Sequence, residues 1–318
     1  MFHQLTSGEA GPEPAELQRR LESLGFLAPA ADVDATRDAI IEFQRSRGLD
    51  ESGVCDDHTW RALLEAEHQF GARPLYLTSP MLRGDDVATL QLRLGSLGFN
   101  AGRVDGIFGP STQTALREFQ RNVDLVVDGV CARDTVSQLN RLASRISSVS
   151  IAGIRERENL RGRSTDLAGL RVAICHQGHD GGLAGALGAD LHLAEAVVTL
   201  MSDDDWSVLA TASNEFHADV CIALEIIDTP SLEVAFFGTE GFQSEAGKVL
   251  AEALLRQLPH PPGWGPGIAH GMRLPILRET RCPTVRLRLG PRSDVTEMQS
   301  LLVAAANRGL RAWIRQSS

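Results

Sequence analysis

The sequence predicts a multidomain protein, in which two all-α three-helix modules precede an α/β domain with a mostly parallel sheet. The first observation behind this prediction is an internal repeat that fills the N-terminal part of the chain. The second is a change in hydrophobic periodicity, from helical spacing to strands that alternate with helices. We place the modules at residues 1–72 and 73–145, a linker at 146–166 and the α/β domain at 167–318.

The repeat consists of long matched segments. LQRRLESLGF at Leu17–Phe26 recurs as LQLRLGSLGF at Leu90–Phe99, an offset of 73 residues. EFQR at Glu42–Arg45 recurs at Glu118–Arg121, an offset of 76 residues. The extra residues of the second copy fall in its loop RVDGIFGPST, which the first copy shortens to AADVDAT. Repeats of this length indicate duplicated domains, each large enough to hold a small core of its own.

Each copy contains three stretches with apolar residues at helical spacing. In the first stretch of copy one, leucines stand at i, i+4 and i+7 before Gly25 ends the helix. The second stretch contributes Phe43 in one copy and Phe119 in the other. The third begins after Asp56, a residue type that commonly caps helices. Three short amphipathic helices around one core are the expected packing of these stretches.

The second half of the chain alternates two kinds of segment. Strands are predicted at Arg171–Gly178, Trp206–Ser213, Asp219–Ile226, Leu232–Gly238 and Thr284–Gly290. Helices are predicted at Asp190–Met201, Ser244–Leu258 and Asp294–Asn307. This alternation favours a parallel sheet covered by helices, whose functional residues lie at the carboxyl ends of the strands.

Composition excludes several classes of function. A net charge of −10 disfavours a nucleic-acid partner, because such binding depends on lysine and arginine. No apolar stretch approaches the roughly 20 residues of a membrane helix, so membrane insertion is not expected. The five cysteines form no CxxC pair, and the first residues lack the basic and apolar regions of a secretory signal. These features predict a cytoplasmic protein with reduced thiols.

The second repeat resembles the peptidoglycan-binding three-helix module of bacterial cell-wall hydrolases. The resemblance rests on the LGF helix end, on DGIFGPSTQTALREFQ and on DGVC with its following threonine. It implies a peptidoglycan ligand at the loop of the second copy, with Asp105, Gly106, Phe108 and Gly109 as candidate binding residues. The first copy lacks that loop. A role of the same residues in folding alone is the alternative interpretation.

Four segments of the second half resemble zinc-dependent N-acetylmuramoyl-L-alanine amidases. CHQGHDGG is similar to the family motif DPGHGG, and ADVCIALEI is similar to the strand ADLFISIHAN. SEAGKVLAEALLRQL resembles the helix that follows, and LPILRETRCPTVRLRLG resembles LRxTxxPAVLVELG. The glycines after the first strand could instead indicate a nucleotide-binding loop, but their spacing is not GxGxxG.

The family site holds zinc with His, Glu and His and uses a glutamate as general base. The resemblance places His179, Asp190 and Glu225 at the metal positions, with Glu195 as an alternative to Asp190. Arg288 falls on the position of the base. Arginine accepts no proton at neutral pH, and its fixed charge opposes a bound cation. The resemblance therefore implies that the metal site is empty and that the chain has no catalytic residue and no cofactor. Zinc is the expected cofactor only if the site is still occupied.

We therefore expect a non-catalytic amidase homologue that acts as a cytoplasmic regulator of peptidoglycan synthesis. The resemblance implies a peptidoglycan precursor or muropeptide as ligand and a MurA-type enolpyruvyl transferase as partner. Arg288 is expected to form an ion pair with Glu225 or Asp190 where the metal would lie. One alternative is an active zinc amidase. In a variant of this alternative, His176, His179 and His192 bind a metal that is displaced from the family site. The other alternative is a muropeptide-binding module without a protein partner.

Overall fold

A computed structural model describes residues 14–143, 166–178, 181–239 and 242–317. The chain divides into two compact units, Met1–Arg155 and Glu156–Ser318. Apart from position 166, the predicted linker lies outside the described residues. Within those residues, no helix has the length and apolar character needed to cross a membrane.

The described part of the N-terminal unit contains six helices. Its helices are α1 (Pro14–Ser23), α2 (Val33–Arg47), α3 (Asp57–Ala66), α4 (Asp85–Ser96), α5 (Pro110–Asn122) and α6 (Arg133–Ala143). The first three belong to the first repeat and the last three to the second, as the apolar stripes predicted. Asp56 caps α3 by accepting a hydrogen bond from the Thr59 amide at 2.8 Å. Gly48 ends α2 in the left-handed conformation that glycine adopts most easily.

Both repeats pack around an aromatic pair at equivalent positions. The rings of Phe26 and Phe43 meet edge to face with centroids 5.3 Å apart. In the second repeat, Phe99 and Phe119 meet in the same way at 5.6 Å. Phe43 and Phe119 are completely buried, so the phenylalanine of each second helix anchors its module.

The C-terminal unit is an α/β domain. Its strands are β1 (Arg171–His176), β2 (Val197–Ser202), β3 (Val220–Ile226), β4 (Ser231–Thr239), β5 (Phe242–Gln243), β6 (Ile268–Met272) and β7 (Thr284–Gly290). Its helices are α7 (Gly181–Leu193), α8 (Trp206–Glu215), α9 (Glu245–Leu255), α10 (Pro275–Glu279), α11 (Arg292–Glu297) and α12 (Gln299–Ser317).

The strands form one mixed, mostly parallel sheet in the order β2-β1-β3-β7-β4-β5, with β6 also paired to β4. The β2, β1, β3 and β7 strands pair in parallel, and β4 runs antiparallel to β7. Alternate side chains of these strands form an apolar core with α7, α9 and α12. The short helices α8 and α10 pack against each other, and α10 also contacts β7 and β4.

Two of the predicted segments were wrong. Trp206–Ser213 is not a strand but the first part of α8, which Asp205 caps by accepting a hydrogen bond from the Ser207 amide at 2.7 Å. The predicted helix Asp190–Met201 ends at Leu193, and its second half belongs to β2. A turn with Glu195 at a φ of 65° separates α7 from β2, and the β-branched residues beyond it favour a strand.

All five cysteines are free and buried. Burial raises the pKa of the Cys55 and Cys131 thiols from 9.0 to about 12. We expect neither thiol to react with an aromatic disulfide reagent at pH 8 until urea unfolds the chain, because the thiolate is the reactive form. Rapid reaction of either thiol in the native protein would contradict this expectation.

The raised pKa of the Cys55 and Cys131 thiols predicts that the stability of the protein depends on pH. Above pH 9 the unfolded thiols lose their protons, while the folded thiols keep theirs until about pH 12. The free energy of unfolding should therefore fall as the pH rises through this window. Urea titrations at pH 8 and pH 10 measure the effect, and a Cys55→Ala, Cys131→Ala double variant should show a smaller fall, because the raised pKa of Cys221 remains.

Candidate functional site

Three neighbouring strands place charged side chains on one face of the sheet. In the register of β3 with β7, Glu225 lies opposite Arg288, and in the register of β7 with β4, Arg288 lies opposite Glu233. Arg286 stands two residues before Arg288, and side chains two residues apart on a strand share a face. These four residues are called the Arg–Glu cluster below.

The two arginines of the cluster converge on one carboxylate. Arg286 Nη1 lies 3.0 Å from Glu225 Oε2, and Arg288 Nε lies 3.6 Å from Glu225 Oε1. Arg286 Nη2 is also 3.8 Å from Glu233 Oε2. The Arg286 side chain is only 1% exposed, whereas those of Arg288, Glu225 and Glu233 are between 21% and 31% exposed. The cluster thus contains two positive and two negative charges. The carboxylates of Glu225 and Glu233 stabilise the buried guanidinium of Arg286.

The position of the cluster is that of a functional site in an α/β fold. Glu225 and Arg288 lie near the carboxyl ends of the parallel strands β3 and β7. Binding residues in such sheets gather at this edge. Arg288 contacts Glu225, the first of the two partners that the sequence suggested. The contribution of Arg286 was missed, although the alternation of arginine and leucine in VRLRLG signals two cations on one face.

The predicted metal positions have different surroundings. Asp190 lies in the third turn of α7, where it accepts a hydrogen bond from Asn307 Nδ2 of α12 at 2.6 Å. Glu225 belongs to the Arg–Glu cluster, and the alternative Glu195 is exposed in the turn after α7. His179 lies outside the described residues. The structure therefore gives Asp190 and Glu225 different partners, and their part in a metal site stays a prediction.

The described residues at this edge do not fit a zinc ion. Catalytic zinc takes three protein ligands and an open position for water. Both oxygens of Glu225 face a guanidinium, and a divalent cation beside Arg286 and Arg288 would meet strong repulsion. Across the described part of the chain, no group of three His, Cys, Asp or Glu side chains could hold a metal. In the alternative histidine set, His192 is exposed at the end of α7 and His176 is the last residue of β1.

The candidate binding loop of the second module is organised by a buried glutamine. Gln91 Oε1 accepts a hydrogen bond from the Gly106 amide at 2.8 Å, and Gln91 Nε2 donates to Asp105 Oδ1 at 2.8 Å. Gly106 has a φ of 72°, a conformation that favours glycine. Phe108 is completely buried, and Gly109 occupies the N-cap position of α5. The observed contacts of these four candidate residues shape the loop, and their part in ligand binding stays a prediction.

The same arrangement recurs twice more, and the motifs quoted from the sequence did not predict the contacts of its glutamines. Gln120 contacts Asp128 Oδ1 and the Gly129 amide at 2.8 and 2.9 Å. In the first module, Gln44 contacts Ser52 Oγ and the Gly53 amide at 3.1 and 2.9 Å. In all three cases the glutamine also bonds the threonine that stands seven residues after the Asp or Ser. An Asp-Gly or Ser-Gly pair with a threonine at that spacing is the signal that reveals these loops.

Comparisons with known proteins agree with the division into a helical N-terminal unit and an α/β C-terminal unit. A family described as a putative peptidoglycan binding domain matches residues 10–63 and 83–139. The chain is 34% identical to the N-acetylmuramoyl-L-alanine amidase CwlM of Mycobacterium tuberculosis, an alignment that covers 90% of this chain and 81% of CwlM. The chain belongs to the CwlM family. It thus combines two peptidoglycan-binding domains with an amidase-like α/β domain.

Other relatives match smaller parts of the chain. The N-acetylmuramoyl-L-alanine amidase CwlL of Bacillus licheniformis is 27% identical over 43% of this chain and 45% of its own length. The solved structure of the amidase AmiC2 of Nostoc punctiforme is 18% identical, with a TM-score of 0.38, and covers 46% of this chain and 99% of AmiC2. The amidase Ami1 of Mycobacterium smegmatis is 14% identical, with a TM-score of 0.39, and covers 48% of this chain and 99% of Ami1.

Proposed function

We propose that this CwlM-family chain is a non-catalytic amidase homologue that regulates peptidoglycan synthesis in the cytoplasm. The observation that carries the proposal is the Arg–Glu cluster. Metal-assisted amide hydrolysis needs a cation that activates water and a group that accepts its proton. Arg288, at the position aligned with the general base, stays protonated at any physiological pH. Glu225, at an aligned metal position, neutralises two guanidinium groups.

The remaining architecture supports a binding role for the chain. The peptidoglycan-binding domains and the amidase homology favour a peptidoglycan-related ligand, either a precursor or a muropeptide. The family resemblance suggests a MurA-type enolpyruvyl transferase as the partner whose activity the chain adjusts. Free buried thiols are consistent with a reducing compartment. The chain has peptidoglycan-binding domains, and its aligned metal position is occupied by ion pairs. This combination suits a regulator that binds a ligand better than it suits a hydrolase.

Metal content and hydrolysis test the loss of catalysis. The purified chain, incubated with zinc and desalted, should retain no stoichiometric metal and release no peptide from muropeptides. A Glu225→His, Arg288→Glu double variant restores the family residues at these two positions and should retain more zinc than the wild type. Stoichiometric zinc in the wild-type chain, together with muropeptide hydrolysis, would instead establish the active amidase.

A second measurement tests the regulatory role. The steady-state rate of the enolpyruvyl transferase from the same organism should change when the full chain is added. A chain that binds muropeptide but leaves this rate unchanged is a binding module without that partner, and the proposed regulation would then be wrong.

A further inference from the structure

The sheet of the C-terminal unit begins with a strand whose outer side is open. In the sheet order β2 comes first, and among the described residues only β1 pairs with it. The Val197 amide donates to the Leu170 carbonyl at 2.9 Å, so the hydrogen-bonding groups of Val197 point toward β1. Because these groups alternate in direction along a parallel strand, the amides and carbonyls of Val198, Leu200 and Ser202 point away from β1. The outer side of β2 therefore presents a row of donors and acceptors.

The sequence of β2 does not protect this side. Edge strands are commonly kept from further pairing by charged side chains, by proline or by bulges. The six residues of β2, VVTLMS, contain neither a charge nor a proline, and Val197 and Leu200 are 44% and 50% exposed. By contrast, β6 on the other side of the sheet contains Gly271 and is followed by Arg273. Of these two strands, β2 is the one that suits the addition of a further strand.

Apolar side chains extend the exposed surface on both faces of β2. Leu200 lies over α7, where a Cβ atom at Gly188 would be 3.1 Å from Leu200 Cδ2. Val197 stands three residues earlier and therefore lies on the opposite face of the strand. Leu193 at the end of α7 is 84% exposed, and Val208 of α8 is 49% exposed. A strand added to β2 can thus bury apolar side chains on both faces.

Acidic residues stand at both ends of β2. Glu195 precedes the strand, Asp203 and Asp204 follow it, and all three are exposed. On the neighbouring strand, the Arg171 guanidinium donates to the Phe216 carbonyl at 3.0 Å. The two ends of an added strand would meet carboxylates, which favours lysine or arginine at those ends.

The same charges disfavour the pairing of β2 with the β2 strand of a second copy. In an antiparallel pair with two-fold symmetry, the start of each strand lies beside the end of the other. Glu195 of one copy would then lie near Asp203 and Asp204 of the other, and like charges across two strands are destabilising. The net charge of −10 adds to this repulsion. The charges therefore favour a basic partner over a second copy.

We propose that β2 binds an extended, basic segment of a partner protein, which joins the sheet as an additional strand. Main-chain hydrogen bonds along the outer side of β2 provide the affinity, and alternate apolar side chains of the segment cover Val197 and Leu200. Lysine or arginine at the ends of the segment meets Glu195, Asp203 and Asp204. This interaction goes beyond the regulatory role proposed above and does not depend on the loss of catalysis.

Titration of the full chain with a labelled peptide, acetyl-Lys-Arg-Val-Thr-Val-Thr-Val-Arg-Lys-amide, tests the proposal by fluorescence anisotropy. We expect saturable binding that weakens about threefold or more between about 0.05 M and 0.5 M NaCl, because salt screens exposed charges. A peptide with glutamates in place of its four basic residues should bind about tenfold more weakly. A peptide with prolines at its fourth and fifth positions should not bind, because proline donates no amide hydrogen. Hydrogen-exchange mass spectrometry should show protection by the basic peptide over residues 197–202.

One pair of variants tests the position of the site. Leu200→Lys removes an apolar contact and places a positive charge beside the basic peptide, so the affinity should fall about tenfold or more. Leu301→Lys is the matched control, since this leucine of α12 is 49% exposed and lies outside β2, and its affinity should be unchanged. Urea unfolding of both variants verifies that they fold. The proline peptide tests the same hydrogen bonds on the wild-type chain.

Three results would overturn the proposal. The first is that the basic peptide does not bind, or that the acidic peptide binds equally well. The second is protection elsewhere in the chain with none over residues 197–202. The third is a dimer in sedimentation velocity that Leu200→Lys dissociates, because this result would assign the edge to a second copy.

Discussion

Replacement of Glu225 by alanine should lower the free energy of unfolding of the C-terminal unit by about 3–5 kcal/mol. The substitution leaves the Arg286 guanidinium, which is 1% exposed, without its 3.0 Å counter-ion. Glu233 compensates only part of this loss, because its oxygen lies at 3.8 Å. The unfolded chain hydrates the same arginine fully, so the whole cost falls on the folded state.

Arg288→Ala is the matched comparison for this experiment. Its side chain is 27% exposed and lies 3.6 Å from Glu225, so we expect a loss of only about 0–1 kcal/mol. Urea unfolding followed by hydrogen-exchange mass spectrometry reports on the two units separately. Equal small effects of Glu225→Ala and Arg288→Ala would show that Arg286 does not depend on Glu225, and the description of the cluster would be wrong.

In the non-catalytic homologue that we propose, the ion pairs of the cluster balance the charge of Glu225 in place of a metal. A lone carboxylate at the position of Glu225 would need another cation if zinc were absent. Arg286 and Arg288 supply that cation from the neighbouring strand. These ion pairs therefore stabilise this edge of the sheet from within the domain.

The helical modules could be predicted because each helix carries its own apolar stripe. Phe43 and Phe119 identified the equivalent second helices, and both are completely buried. The α/β domain was predicted in outline, but Val197–Ser202 was assigned to a helix and Trp206–Ser213 to a strand. Short apolar stretches fit either a helix or a strand. For Trp206–Ser213, the helix-capping residue Asp205 is the local signal that favours a helix.

The candidate site could be predicted only in part. The alignment of family motifs brought Glu225 and Arg288 to neighbouring strands, where they are in contact. The burial of Arg286 depends on carboxylates of β3 and β4, and both strands are distant from β7 in sequence. No local sequence pattern therefore predicts that Arg286 is buried.

Phe108→Ala should destabilise the N-terminal unit by about 3–5 kcal/mol, although the residue lies in a loop that resembles a binding motif. Phe108 is completely buried in the core of the second repeat, together with Leu90 and Phe119. Its removal leaves a cavity that the helices can fill only partly. Its backbone amide also donates to the Leu82 carbonyl at 2.9 Å, so the segment before α4 should loosen as well.

Two further substitutions make this prediction specific. Phe108→Leu keeps most of the buried volume and should cost about 1 kcal/mol, because nearly volume-conserving swaps are tolerated. Ile107→Ala removes a partly exposed neighbour in the same loop and should cost less than Phe108→Ala. Hydrogen exchange of the α5 amides in urea measures all three variants. If Phe108→Ala abolished muropeptide binding while leaving exchange unchanged, Phe108 would contact the ligand directly and would not act through the core.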